Sequence, residues 1–259
     1  MTTTPPFGEA EDRPIEVLRQ APDPAWYRRL RAILEILLCS GIPTQLLVAQ
    51  ALAAGGLRPF GPGGALEPTW VFLLAFIDTC LIIALAVFLL RANGESPGEV
   101  FLGGRSPVRE AIVGVALIGP LIFGVAGIMV VARAIWPALH NVPENPLGAL
   151  LRSPVDAMLF TVVATVGGGV REEIQRAFLL TRFERNLGGP TVGLIVTSIA
   201  FGAGHVLQGW DAAVATAGMG LFWGWLYLRR RSVIAPMTSH AGYNSLEIVR
   251  FLVLGPGGI

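Results

Sequence analysis

Lysine is missing from this chain. All 19 basic residues among its 259 are arginines, which excludes Schiff-base chemistry on a lysine amine. Charge of either sign is scarce. Only 14% of residues are charged, against roughly 25% in an ordinary soluble domain. A soluble fold of this length must cover its surface with polar side chains, and too few are present. The mean hydropathy of +0.62 agrees. The net charge is +1, and no basic stripe with interleaved aromatics occurs, so nucleic acid is not expected as a partner. The two cysteines, Cys39 and Cys80, each sit in an apolar stretch without metal-type spacing. They read as small packing residues. The opening residues MTTTPPFGEAEDRPIE lack a basic segment leading into an apolar core, so no cleavable signal peptide is expected.

Apolar runs are abundant instead. Seven fall at residues 31–54, 69–91, 111–136, 155–181, 190–207, 212–228 and 232–254. Most reach the ~20 residues needed to cross a hydrocarbon layer of ~30 Å. Inside lipid each backbone must satisfy its own hydrogen bonds, so runs of this length are helices. The connectors GGLRPFGPGGALEP, RANGESPGEVFLGGRSP, HNVPENP and NLGGP are Gly, Pro and Asn clusters. The expected fold is all-α: a polytopic transmembrane bundle of seven to eight membrane helices over residues 29–259, preceded by a polar tail at 1–28. The bilayer is then an obligate partner.

Arginine placement tests the count, because positive charge gathers on the cytoplasmic side. With the N-terminus inside, seven crossings put Arg13, Arg19, Arg28, Arg29, Arg31, Arg91, Arg105, Arg109, Arg182, Arg185 and Arg229 to Arg231 inside. Arg58, Arg133 and Arg152 fall outside. The alternation holds at every loop and predicts a cytoplasmic N-terminus, in a membrane of the bacterial cytoplasmic type.

Ionisable groups within membrane spans are costly and are functional candidates by default. The fourth stretch carries VREEIQRAF, with Arg171, Glu172, Glu173 and Arg176; the fifth ends in FGAGH, with His205; the seventh carries SHAGYN, with His240 and Asn244. At a helical rise of ~1.5 Å per residue, Glu172 lies ~20 Å, His205 ~22 Å, His240 ~12 Å and Asn244 ~18 Å from the arginine-rich side. Carboxylates, imidazoles and an amide can therefore meet at similar depth, as water-activating hydrolysis needs. His240 and Asn244 share one helix face, as do Phe201 and His205. Glu172 and Arg176 have the spacing of an ion pair. Gly167, Gly168, Gly169, Gly202 and Gly204 allow close helix approach or leave room for substrate.

The three motifs, in this order on apolar spans, resemble those of the CPBP intramembrane metalloprotease family. That family includes type II CAAX prenyl endopeptidases and Abi-type bacteriocin-processing or self-immunity proteins. Its pattern runs EExxxR, FxxxH, HxxxN. Phe201 to His205 fits the second motif and His240 to Asn244 the third; the resemblance covers about residues 155–250. It implies an endopeptidase acting on peptide bonds of a peptide or membrane-protein substrate. In that family a glutamate and a histidine activate water, here Glu172 or Glu173 with His205. His240 and Asn244 would stabilise the oxyanion. Arg176 and Phe201 would support the site, and Glu172, His205 and His240 would be the ligands of any metal, for which Zn²⁺ suits His and carboxylate. One departure leaves the base open. The first motif reads EExxR, with the arginine one residue early. If the glutamates align with the family, Glu172 is the base. If the arginine aligns, Glu172 pairs with it and Glu173 is the candidate base.

Plainer roles stand beside these. Asn244 has about even claims as interhelical glue. Phe201 reads as packing, and Arg176 as a charge partner. His140 sits in a predicted outer loop and reads as solvated, and Glu247 and Arg250 as a pair. Two other functions fit the composition: a catalytically silent scaffold or immunity protein, and an ion or small-molecule transporter. Transporters often have paired halves with broken helices, whereas the polar groups here cluster in one half.

Overall fold

The computed structural model describes residues 23–61 and 64–254. Most of the polar tail, residues 1–22, lies outside the described residues. Ten α-helices follow in order among them: α1 (Ala25–Leu38), α2 (Ile42–Ala54), α3 (Pro68–Ala92), α4 (Pro97–Leu102), α5 (Pro107–Ile135), α6 (Pro154–Val163), α7 (Glu172–Asn186), α8 (Pro190–Ala203), α9 (Trp210–Arg230) and α10 (Ile234–Leu254). Each of the seven apolar stretches is helical, and the bundle is all-α as expected. Proline opens α3, α4, α5, α6 and α8. At a first helical position its missing N–H costs nothing and its fixed φ suits the helix.

The molecule is largely apolar on its outer surface, and charged groups are buried within it beside the apolar core. Phe76, Phe88, Phe123, Ile135 and Val253 are exposed, while Glu35, Asp78, Glu110, Glu173, Arg176, Arg182 and His240 are buried. So much exposed apolar surface marks contact with lipid rather than water. Among the described residues, three segments are long and apolar enough to cross a membrane: Ala25–Ala54, Pro68–Ala92 and Pro107–Ile135. The chain is an integral membrane protein. Cys39 packs inside and Cys80 faces outward.

Two stretches depart from simple spans. The first is broken between α1 and α2 at Gly41, which adopts φ 89°. That left-handed conformation is open to glycine without strain. The carbonyl of Cys39 at the break accepts a hydrogen bond from Gln175 Nε2 at 2.6 Å. The fourth stretch is α6 and α7 joined by a π-helical segment over Ala164–Arg171. Gly167, Gly168 and Gly169 lie within it. Wide π turns are uncommon and occur often at functional sites.

Several of the arginines grouped by alternation form ion pairs between helices. Arg182 bridges Glu35 of α1 at 2.5 Å and Glu95, before α4, at 2.8 Å. Arg230 grips Glu110 of α5 at 2.5 and 2.8 Å. Such two-point grips suit the planar guanidinium. Arg133 and His140 both donate to Asp211, at 2.8 and 2.9 Å. His140 is exposed in the loop, as expected, and is also tied to the start of α9. Asp211 supplies the pull, because a buried carboxylate requires partners. Glu247 and Arg250 pair as expected, at 3.0 Å.

Candidate active site

The site forms where α10 crosses the π segment. That crossing depends on glycine. A Cβ on Gly169 would lie 2.7 Å from Ala241 Cβ and 3.0 Å from Ala241 Cα, so only a bare Cα permits the contact. A Cβ on Gly168 would lie 2.5 Å from Asn244 Nδ2 and 3.6 Å from His240 Nε2. Both polar tips therefore point at the space over Gly168. Asn244 Nδ2 also donates to the carbonyl of Ala164 at 3.0 Å, which holds the amide against the π segment.

These contacts separate two substitutions. Gly169→Ala drives a methyl into the backbone of α10 and is expected to lower stability by roughly 1–3 kcal/mol, as overpacking does. Gly168→Ala meets only the tip of Asn244, which can swing away. It is expected to leave stability nearly unchanged and to displace the amide. Denaturation curves of both variants in one detergent check the contrast; equal losses would show that Asn244 is as rigid as the helix backbone.

His240 is fixed by two direct contacts. Its Nδ1 bonds Glu173 Oε1 at 2.8 Å. Its ring stacks on Trp223 with centroids 3.7 Å apart at 15°. Trp223 is held in turn by its Nε1–H donating to Ser239 Oγ at 2.9 Å. A carboxylate on one ring nitrogen fixes the tautomer and aims the other. With the proton of neutral His240 at Nδ1, its Nε2 faces Glu172 Oε2 at 3.8 Å.

The two glutamates have different surroundings. Glu173 is buried and forms a close ion pair with Arg176. Glu172 is partly open and has Arg171 at 3.9 Å on its other side. The spacing-based pairing of Glu172 with Arg176 is therefore corrected: Arg176 pairs with Glu173. Both spacings reach, since positions three and four apart are neighbours on a helix. Burial breaks the tie, because Glu173 is 2% exposed and a desolvated carboxylate cannot do without its cation. The Arg176 guanidinium also lies over the Phe201 ring, 4.6 Å from its centroid.

His205 follows the end of α8. Its Nδ1 bonds the carbonyl of Phe201 at 2.8 Å, which leaves Nε2 unprotonated in the neutral ring. Phe201 packs edge-on to both histidines, 4.9 Å from His205 and 6.1 Å from His240 by centroid. The structure thus gathers Glu172, Glu173, Arg176, His240 and Asn244 directly, and His205 through Phe201. Among the described residues no group of three His, Cys, Asp or Glu side chains is arranged to hold a metal. His205 and His240 each engage Nδ1 within the protein and leave Nε2 open, the arrangement in which an imidazole can still bind a metal, but Glu172, His205 and His240 are not grouped as one such set.

Several contributors escaped sequence reading. Trp223 and Ser239 orient His240, and Asp78 of α3 binds Arg171 at 2.6 Å. Asp78 had a usable signal, as the lone acid in the apolar run FLLAFIDTCLII. Trp223 had none, because an aromatic in an apolar span is ordinary.

Residues 154–246 match the family model described as type II CAAX prenyl endopeptidase Rce1-like. The match spans all three motifs and bears out the resemblance over that stretch; helices α1 to α5 lie outside it. No curated protein and no solved structure matches the chain.

Proposed function

We propose that this protein is an intramembrane endopeptidase, cleaving peptide bonds of membrane-associated peptides or proteins with a water activated by Glu172. The observation carrying this reading is the meeting of Glu172 and Asn244 at His240, with Asn244 Nδ2 and His240 Nε2 both close to the bare Cα of Gly168. Glu172 is the better base of the two glutamates because Glu173 is occupied by Arg176 and His240. This favours the alignment in which the glutamates keep the family register and the early arginine still reaches the second of them.

In the proposed reaction Glu172 takes a proton from water as the oxygen attacks the scissile carbonyl. His205, with a free Nε2, holds that water. Asn244 Nδ2 and a protonated His240 Nε2 donate to the developing oxyanion. Glu173 balances the imidazolium, and Arg176 holds Glu173 in place. Glu172 then passes its proton to the leaving amine, as general acid–base catalysis requires. The orientation that arginine alternation supports puts the N-terminus in the cytoplasm of a bacterial inner membrane.

The test is cleavage of membrane-associated peptides by the purified full chain in lipid nanodiscs, beside Glu172→Ala, His205→Ala and His240→Ala. Product formed by the wild type and absent from all three variants is expected. Identical product patterns in wild type and variants would sink the protease reading. A second reading has one observation in its favour: Asn244 and His205 are both bonded to backbone carbonyls, as glue residues in a silent scaffold or immunity protein would be. Nothing in the geometry favours a transporter.

A further inference from the structure

A second polar cluster lies beside Glu172, built from the helices outside the family match. Arg171 is 11% exposed and extends away from the site to Asp78 Oδ2 at 2.6 Å. Asp78, 5% exposed, is held by Thr44 Oγ1 and, at 3.4 Å, by Gln45 Nε2, both from α2. The other terminal nitrogen of Arg171 stands 3.9 Å from Glu172 Oε1. Its Nε is buried and has no hydrogen-bond partner. The guanidinium thus sits between two carboxylates, close to one and just short of the other, with bonding capacity unused. The break between α1 and α2 belongs to the same cluster. Gly41 leaves room for the guanidinium, since a Cβ there would lie 2.6 Å from it.

We propose that Asp78 is a positioning residue that holds Arg171 off Glu172. This rests on the reading of Glu172 as the base. An arginine that closes on a carboxylate binds it at two points in a fixed geometry. Glu172 so bound is pulled from His240 and has no oxygen free for water. Asp78 competes for that arginine from α3, and Thr44 and Gln45 keep Asp78 aimed at it. The charge has to be supplied from outside the motif region, because within it Glu173 is committed to Arg176 and His240. It also gives the unusual Arg171, directly before the glutamates, a defined place. The first two spans then do more than wrap the site: they decide which carboxylate Arg171 pairs with.

Asp78→Asn preserves the shape and the bond to Thr44 but frees Arg171. In nanodiscs D78N is expected to lower kcat by about tenfold or more with KM nearly unchanged, the pattern of a group that acts in the reacting state alone. The double variant D78N/R171Q is expected to regain most of that loss, which a role in packing alone would not allow. A second readout needs no activity. In a C39A/C80A background, E172C is labelled with a water-soluble methanethiosulfonate, since a guanidinium beside a thiol raises its thiolate fraction and speeds reaction. Adding D78N is expected to accelerate labelling by roughly threefold or more, and adding R171Q as well to cancel the gain. Equal labelling in all three overturns the proposal, and so does a double variant as slow in cleavage as D78N. If the wild type cleaves no peptide, the protease reading falls while labelling still decides where Asp78 holds Arg171.

Discussion

Glu172→Gln is expected to cut peptide cleavage by about 10² to 10⁴-fold, the range for loss of a positioned general base. The amide keeps the volume of the side chain but cannot take a proton. Because Glu172 is partly open and its neighbours His240 and Arg171 stand 3.8 and 3.9 Å away, no close buried pair is broken. The variant should therefore fold, insert and unfold like the wild type. Its loss belongs in kcat, with KM little changed. Glu173→Gln is expected to differ. It leaves Arg176 without its counter-charge and His240 without the acceptor that aims it, so activity and stability fall together. The comparison identifies the base. If Glu172→Gln retains activity and Glu173→Gln abolishes it without loss of stability, the roles of the two glutamates are reversed.

That assignment was beyond the sequence for a geometrical reason. EExxR admits pairing of the arginine with either glutamate, at a spacing of three or four, and helical geometry accepts both. The deciding facts were the burial of Glu173 and the approach of His240 from α10, which are contacts between residues 67 positions apart. What periodicity and composition could read, they read well. The seven apolar runs are helical. The breaks were harder. Gly41 looks like any glycine in an apolar run until Arg171 and Gln175 fill the space beside it. The π segment was foreshadowed only by three consecutive glycines, which equally suit a close helix crossing. Asp78 was legible as an intramembrane acid, yet its partner Arg171 lies 93 residues away.

Arg176→Met is expected to produce the largest loss of stability. The methionine retains much of the apolar bulk that lies against Phe201 and Trp223. It removes the cation that faces Glu173 inside the protein. Breaking a buried ion pair from one side costs about 3–5 kcal/mol, because the remaining charge stays desolvated. His240 alone is a poorer substitute, because it meets Glu173 through a single ring nitrogen whereas the guanidinium is always charged. The companion variant is Glu173→Gln with Arg176→Met, which removes both charges. Replacing a buried pair by neutral groups of similar volume is often nearly neutral in stability, so the double variant should unfold close to the wild type. It should still be a poor enzyme, because an amide anchors the imidazole without balancing its charge. Unfolding in mixed micelles at a fixed detergent ratio measures the first two expectations, and peptide cleavage the third. A single variant as stable as the wild type would show that Glu173 reaches water or another cation. A double variant as unstable as the single would show that Arg176 works through packing against Phe201 rather than through charge. Recovery of stability without recovery of activity is the result that ties Arg176 to the site: it holds the carboxylate that aims His240 at Glu172.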